Sequence, residues 1–292
     1  MWLKSDFHIK SGGYILSKFY LPSHAWHEIQ SPIRIFGGKS ILATKIVKVL
    51  HPHEIYVEPF FGAGSVFWRK NPSKIEVIND IDSDLIRFMR YLKDEEFSCD
   101  MRPNIEKFRE IVEKRKNNGD LSPCEFLYLN KHSYSGKIGK DISPSYDTFS
   151  KRCLSADDRA CMVKNLVKYM DRYKERLKDI KIENKDFREI IREWDSPNTL
   201  FYLDPPYVKA NKNKCHYYSC DVTPSDVARA VNGIKGKYII SYDDDKAVWD
   251  SFLGIPDVRI YKVKNRYTSN PRKRKLVEEL IITNYEIRDS IS

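Results

Sequence analysis

No stretch of the 292-residue sequence approaches the roughly 20 consecutive apolar residues of a membrane span, and no basic-then-apolar leader opens it. These absences argue against a helical membrane protein and predict an intracellular, cytoplasmic one without a membrane partner. Cysteine is scarce and unpatterned. The six cysteines (Cys99, Cys124, Cys153, Cys161, Cys215 and Cys220) contain no Cys-x-x-Cys pair. Neither His24/His27 nor His51/His53 has a cysteine near enough for a zinc pattern. Reduced thiols and no metal site are therefore expected. Internal repeats and low-complexity linkers are missing as well. Acid is the scarcer charge: 41 Asp and Glu stand against 51 Lys and Arg, a formal net charge of +10. Such a surplus fits either a solvated basic surface or a polyanion partner, because clustered cations gain affinity by releasing counterions from phosphates.

What is present is enough apolar residue (41%) for a sizeable core, and a recurring pattern of short β-branched runs separated by helical periodicity. Residues 55–57 read as a strand running into a glycine turn at Gly62–Gly64, with a short helix expected from Ser65. Residues 75–78 form a second strand, and 83–92 a helix with Leu85, Phe88, Met89 and Leu92 on one face. Further strands are expected at 180–182, 199–203, 237–241, 258–263 and 280–283, with helices at 187–194, 225–234 and 246–253. Alternation of this kind predicts an α/β fold with a doubly wound, mostly parallel sheet. The pattern breaks between about residues 93 and 178, a polar, helical stretch with a glycine-containing loop at Asn130–Lys140. The expected division is an N-terminal extension (1–30), a sheet domain (31–92 and 178–292) and an inserted, mainly helical lobe (93–177).

Open α/β sheets bind ligands at the carboxyl ends of their strands. Three such ends carry notable residues. Glu58-Pro59-Phe60-Phe61-Gly62-Ala63-Gly64 is a glycine turn that lets backbone approach a ligand, yet it lacks a third small residue at position 67 and is a poor dinucleotide fingerprint. Asp80 follows Glu58 by 22 residues, at the next strand end. An acid at that spacing can accept both hydroxyls of a ribose, or it can cap the following helix. The pairing favours a nucleoside ligand without a pyrophosphate, which fits S-adenosyl-L-methionine.

The third end, Asp204-Pro205-Pro206-Tyr207, is the strongest signal, expected by chance about once in a thousand chains of this length. Two prolines fix a rigid turn and remove backbone donors, so the Asp204 carboxylate and the Pro205 carbonyl can both accept hydrogen bonds. An amine conjugated to a nucleobase is a poor nucleophile because its lone pair is delocalised. Two acceptors gripping its N–H groups bend it towards a tetrahedral shape, and Tyr207 offers a face on which an extruded base can stack.

The order Phe36-Gly37-Gly38-Lys39, Val57-Glu58-Pro59-Phe60-Phe61-Gly62-Ala63-Gly64-Ser65, Asn79-Asp80, Asp204-Pro205-Pro206-Tyr207 resembles the Dam-like family of DNA adenine methyltransferases. The likeness runs from about Ser31 to Tyr285 and includes Ser241-Tyr242-Asp243 and the stretch from Glu279 to Tyr285. It implies a methyltransferase sheet with an inserted target-recognition lobe, acting on a flipped-out adenine in double-stranded DNA. It implies that Asp204, Pro205, Pro206 and Tyr207 are catalytic. For the cofactor it implies contacts from Ile35, Phe36, Gly37, Gly38, Lys39, Glu58, Phe60, Gly62, Gly64, Asp80, Asp186, Phe187 and Asp204. Within that set Lys39 reaches towards the site, Asp80 binds ribose, and Asp186-Phe187 holds adenine. Ile35 stands where relatives carry an aromatic residue. The segment from Asn130 to Lys137 resembles a family hairpin but has Lys131 and Ser135 in place of arginine and asparagine.

Lys131, Tyr134 and Lys137 are thus candidate base readers. Lys209, Lys212, Arg266, Arg272 and Arg274, in two basic segments, are candidate phosphate contacts. A cognate restriction endonuclease is a candidate partner. Rival readings are a cytosine-N4, an RNA or a protein-glutamine amide methyltransferase, and a binding relative that has lost catalysis.

Overall fold

The computed structural model describes residues 29–34, 40–136, 142–145, 149, 166–208, 222–266 and 276–287. Among the described residues, seven strands form one sheet: β1 (Ile55–Glu58), β2 (Ile75–Asn79), β3 (Lys181–Glu183), β4 (Thr199–Leu203), β5 (Lys237–Asp243), β6 (Arg259–Arg266) and β7 (Leu276–Thr283). Their spatial order is β3-β2-β1-β4-β5-β7-β6. The strands from β3 to β5 pair in parallel; β7 runs antiparallel to both β5 and β6. The order turns back on itself between β1 and β4, the place where an open α/β sheet leaves a crevice. β4 sits beside that crevice, with all five residues buried. A strand covered on both faces carries a continuous apolar run rather than an alternating one, as Thr-Leu-Phe-Tyr-Leu does.

Two helical layers cover the sheet. On one face lie α1 (Ser40–Lys48), α2 (Ser83–Asp94), α3 (Ile105–Lys116), α4 (Pro123–His132) and α5 (Met170–Leu177). Their Leu42, Ile46, Phe88, Phe108, Phe126 and Leu177 share a core with Tyr56, Ile78, Tyr202 and Ile281 of the sheet. The other face is covered by α6 (Phe187–Trp194), α7 (Pro224–Val231) and α8 (Lys246–Phe252), whose Ile190, Val227 and Val248 pack on Val57, Phe201, Leu203 and Ile240. Side-chain caps start most of these helices: Asp82 on α2, Asn104 on α3, Asp186 on α6 and Asp245 on α8. Ser122 and Thr223 form capping boxes, each with proline in the first turn.

Four local expectations change. The segment after Ser65 is a hydrogen-bonded turn rather than a helix, held by the Trp68 and Lys70 amides donating to the carbonyls of Gly64 and Val66. Helix α1, which has no acidic residue in its first turn, was not expected. β6 and β7 run longer than expected because they support each other through eight paired positions. Finally, Cys99 and Cys124 form a disulfide, contrary to the expected thiols. The chain leaves α2, runs out through α3 and returns, so that the first turn of α4 brings Cys124 within 5.2 Å (Cα to Cα) of Cys99. A separation of 25 residues carries no local pattern from which that approach could be read.

Candidate active site

The first strand end is dense with polar groups. Glu58 is buried and accepts a 2.9 Å hydrogen bond from the Tyr56 hydroxyl. Burial pushes its carboxyl well above the ordinary range, and the nearby Asp204 charge adds to the rise. Beyond it, Gly62 (φ 50°) and Gly64 (φ 64°) both adopt the left-handed conformation that favours glycine. A Cβ on Gly64 would also meet the Phe61 ring, so this turn is both bent and crowded.

The second strand end is tied to the first. Asp80 is 6% exposed, and its two carboxylate oxygens accept from the Gly62 amide (2.8 Å) and the Asp82 amide (3.0 Å). Burial pushes this carboxyl up to about 6, against the pull of those amides. The helix-capping role open to Asp80 falls to Asp82, which accepts from the amides of Asp84 and Leu85. Asn79 holds three strand ends together. Its side chain donates to the carbonyls of Pro59 and Lys185 and accepts from the Lys185 amide. Between the acids Asp80 and Asp82, Ile81 is 55% exposed, an apolar face at the rim that sequence reasoning passed over. Its signal was there: a lone aliphatic residue in an otherwise polar turn.

Asp186 caps α6 and is also gripped by the Arg188 side chain at 2.8 Å, which holds its carboxyl below the ordinary range. Phe187 is buried, its ring 4.8 Å from that of Phe60. Both expected adenine contacts therefore already serve the fold, one as a helix cap and one as a core residue.

At the third end, Asp204 lies just beyond β4. The Ser241 hydroxyl of β5 donates to its Oδ1 at 3.1 Å, and Ser241 in turn lies 3.2 Å from the Tyr202 hydroxyl. The Tyr207 hydroxyl donates to Glu279 of β7 (3.4 Å), and the Val208 amide donates to Asp243 (3.0 Å). Ser241, Asp243 and Glu279 were legible only as parts of a family-like stretch, not as parts of the site. Among the described residues, no group of three or more His, Cys, Asp or Glu could hold a metal ion.

Of the candidate nucleic-acid contacts, Tyr134 is 58% exposed and opens a 3-10 turn after α4. Lys131 points elsewhere: its ammonium donates to the Pro32 carbonyl at 2.6 Å, and burial pushes it down to about 8. Its neighbour Asn130 brackets Arg34, donating to the carbonyl (2.6 Å) and accepting from the amide (3.0 Å). This pair therefore fixes the chain just before residues 35–39. The expected contacts at Ile35, Phe36, Gly37, Gly38, Lys39, Lys137, Lys209, Lys212, Arg272 and Arg274 lie outside the described residues, as does the side chain of Arg266.

The model of the D12 class N6 adenine-specific DNA methyltransferases matches residues 36–269. The chain belongs to this family. It is 28% identical over 218 residues to the Type II methyltransferase M.MjaIII of Methanocaldococcus jannaschii, covering 63% of this chain and 71% of the relative. To the DNA adenine methylases of Salmonella typhi and Escherichia coli K12 it is 24% identical, over 84% of this chain and 91% of each relative. It is thus a DNA adenine methyltransferase, an enzyme whose substrate is DNA and whose reaction needs a methyl donor. No helix among the described residues is long and apolar enough to cross a membrane.

Proposed function

We propose that this D12-class methyltransferase takes its methyl group from S-adenosyl-L-methionine and moves it directly to the N6 amine of an adenine turned out of double-stranded DNA. The observation that carries the reading is the placement of Asp204. It stands at the carboxyl end of β4, between the strand ends that bear Glu58 and Ser241, with its Oδ1 already fixed by the Ser241 hydroxyl.

The residues present fit the cofactor. Asp80 offers a buried carboxylate beside the Gly62 amide, suited to ribose hydroxyls; the left-handed glycines allow close approach; Ile81 supplies an apolar surface for a purine. The bound cofactor supplies an electrophilic methyl on a sulfonium. The work of the chain is to make the amine nucleophilic. Asp204 and the Pro205 carbonyl accept the two N–H bonds and draw the nitrogen out of conjugation, so that its lone pair faces the methyl. On taking the methyl the amine would acquire positive charge, which the Asp204 carboxylate would stabilise until the proton passes to solvent. Tyr207 stacks on the extruded base. The segment 93–177, which carries the exposed Tyr134, reads the target. A partner restriction endonuclease is supported by relatives named as Type II methyltransferases.

The test is Asp204→Ala. Loss of an acceptor used mainly in the transition state should lower single-turnover methyl transfer by at least about 100-fold while DNA affinity persists. Near-normal turnover would sink the assignment. Sequencing DNA from expressing cells with modified-base detection then gives the target site.

A further inference from the structure

We propose that Ser241 is a positioning residue for methyl transfer, assisted by Glu279: it sets the plane of the Asp204 carboxylate. The proposal rests on the reading of Asp204 as the acceptor of the target amine.

The need for such a residue follows from the turn itself. Pro205 and Pro206 have no amide hydrogen, so the turn cannot be held through two of its own backbone donors. Rotation about the terminal bond of an aspartate is also soft, with no sharp staggered minimum to fix the carboxylate plane. Neighbouring strands must supply both restraints, and they do. The Ser241 hydroxyl donates to Oδ1 of Asp204, the Val208 amide donates to Asp243, and the Tyr207 hydroxyl donates to Glu279. Ser241 and Asp243 are two residues apart on β5 and share a face. Asp243 pairs directly with Glu279 across the β5–β7 ladder, which places all three on that face.

The direction of the chain of bonds is fixed by chemistry. An ionised Asp204 has no proton, so Ser241 must donate to it and can only accept from the Tyr202 hydroxyl. Tyr202 is 2% exposed and Ser241 fully buried, so the Ser241–Tyr202 bond is closed to water, while the Asp204 carboxylate it supports is half-buried. A rotated carboxylate would still bind an amine, but with the nitrogen lone pair aimed away from the incoming methyl. The effect should therefore fall on the chemical step and spare affinity.

Single-turnover transfer of a tritiated methyl group to duplex DNA tests this, with the cofactor and DNA affinities of each variant measured alongside. Ser241→Ala should slow transfer by about 10- to 100-fold and leave both dissociation constants within about twofold of the parent's. In an Asp204→Asn background the same change should cost less than about threefold, because two residues acting as one unit are not additive. Wild-type turnover by Ser241→Ala overturns the proposal. So does a loss of cofactor affinity that accounts for the slower rate, or the same fold loss in both backgrounds; each would mean a role in the fold only. Should the double variant fall below detection, the split between rate and affinity in Ser241→Ala decides alone. Asp204→Asn at the parental rate would instead refute the amine-acceptor reading, whatever Ser241 does.

Discussion

Cofactor affinity should rise with pH through a window centred near 6, because the proposed ribose acceptor is a carboxyl that burial has made weakly acidic. Burial pushes the Asp80 carboxyl up to about 6. At pH 5 the neutral form then outnumbers the ionised form by about ten to one, and at pH 7 the ratio is reversed. If only the carboxylate accepts the two hydroxyls, apparent affinity should be about tenfold lower at pH 5 than at pH 7. The ceiling is set by the worth of hydrogen bonds to a charged group, about 1.5–3 kcal/mol or roughly 10- to 150-fold. Fold stability should move the other way. A carboxyl whose folded value is about 6 against an ordinary 3.8 contributes stability below 3.8 that is lost as pH rises through 6. The loss amounts to about 3 kcal/mol by neutral pH, and bound cofactor offsets it. Equilibrium dialysis from pH 5 to 7, below the range where the amino group of the cofactor titrates, measures the first effect; urea unfolding at the same pH values measures the second. Asp80→Asn should flatten the affinity profile and lower affinity at pH 7 to a value near that of the parent at pH 5. A parental profile that is flat, or an Asp80→Asn profile that keeps the slope, would refute ribose binding by this residue.

Other changes test the frame around the site. Gly64→Ala forces a side chain into a left-handed conformation (φ 64°) and against the Phe61 ring, and should cost about 2–4 kcal/mol in urea unfolding; an unchanged midpoint would mean that the turn relaxes freely. Breaking the Cys99–Cys124 link with Cys99→Ser frees a loop closed by a separation of 25 residues and should lower stability by about 3 kcal/mol under oxidising conditions. Parent and variant unfolding together in the absence of reductant would show that the link contributes nothing. Lys131→Met should leave the salt dependence of DNA binding alone, since its ammonium sits on the Pro32 carbonyl. Joint replacement of Arg272 and Arg274 by alanine should flatten the plot of log affinity against log salt by about 0.9 for each phosphate that the protein no longer neutralises. A flattened plot for Lys131→Met would return that lysine to the DNA surface.

The sequence disclosed what is encoded locally. Helix α6 was legible at both ends because Asp186 signals the start and the apolar periodicity of Phe187, Ile190 and Ile191 stops at Trp194. β4 was legible because a doubly buried strand is a short apolar run ended by prolines. The strand-end acids were legible because sheet topology assigns chemistry to that edge. What escaped depends on partners distant in the chain. Lys131 reads as a cation on a polar loop until its carbonyl partner, 99 residues away, is known. Cys99 and Cys124 read as two unrelated thiols for the same reason. Ser241 reads as an ordinary strand residue and Glu279 as the residue before one, since periodicity does not tell what stands opposite.

The two-residue period of the strands explains why the polar groups collect on one side. Tyr56, Tyr202, Ile239 and Ile281 point into the core shared with α1 to α5, so Glu58, Asp204, Ser241, Asp243 and Glu279, each an even number of residues away on its own strand or just beyond it, occupy that same side. Val57, Leu203, Ile240 and Tyr242 alternate with them and face α6 to α8. Helices α3 and α4 lie on the polar side, with Phe108 and Phe126 in its core and Asn130 bracketing Arg34. The register is strongly protected, because a slip of one residue in β5 would turn Ser241 and Asp243 into the apolar layer beneath α7 and α8 and bring Tyr242 up beside Asp204. The same alternation that buries the core thus places the Asp204 carboxylate, and loss of either would be felt in both.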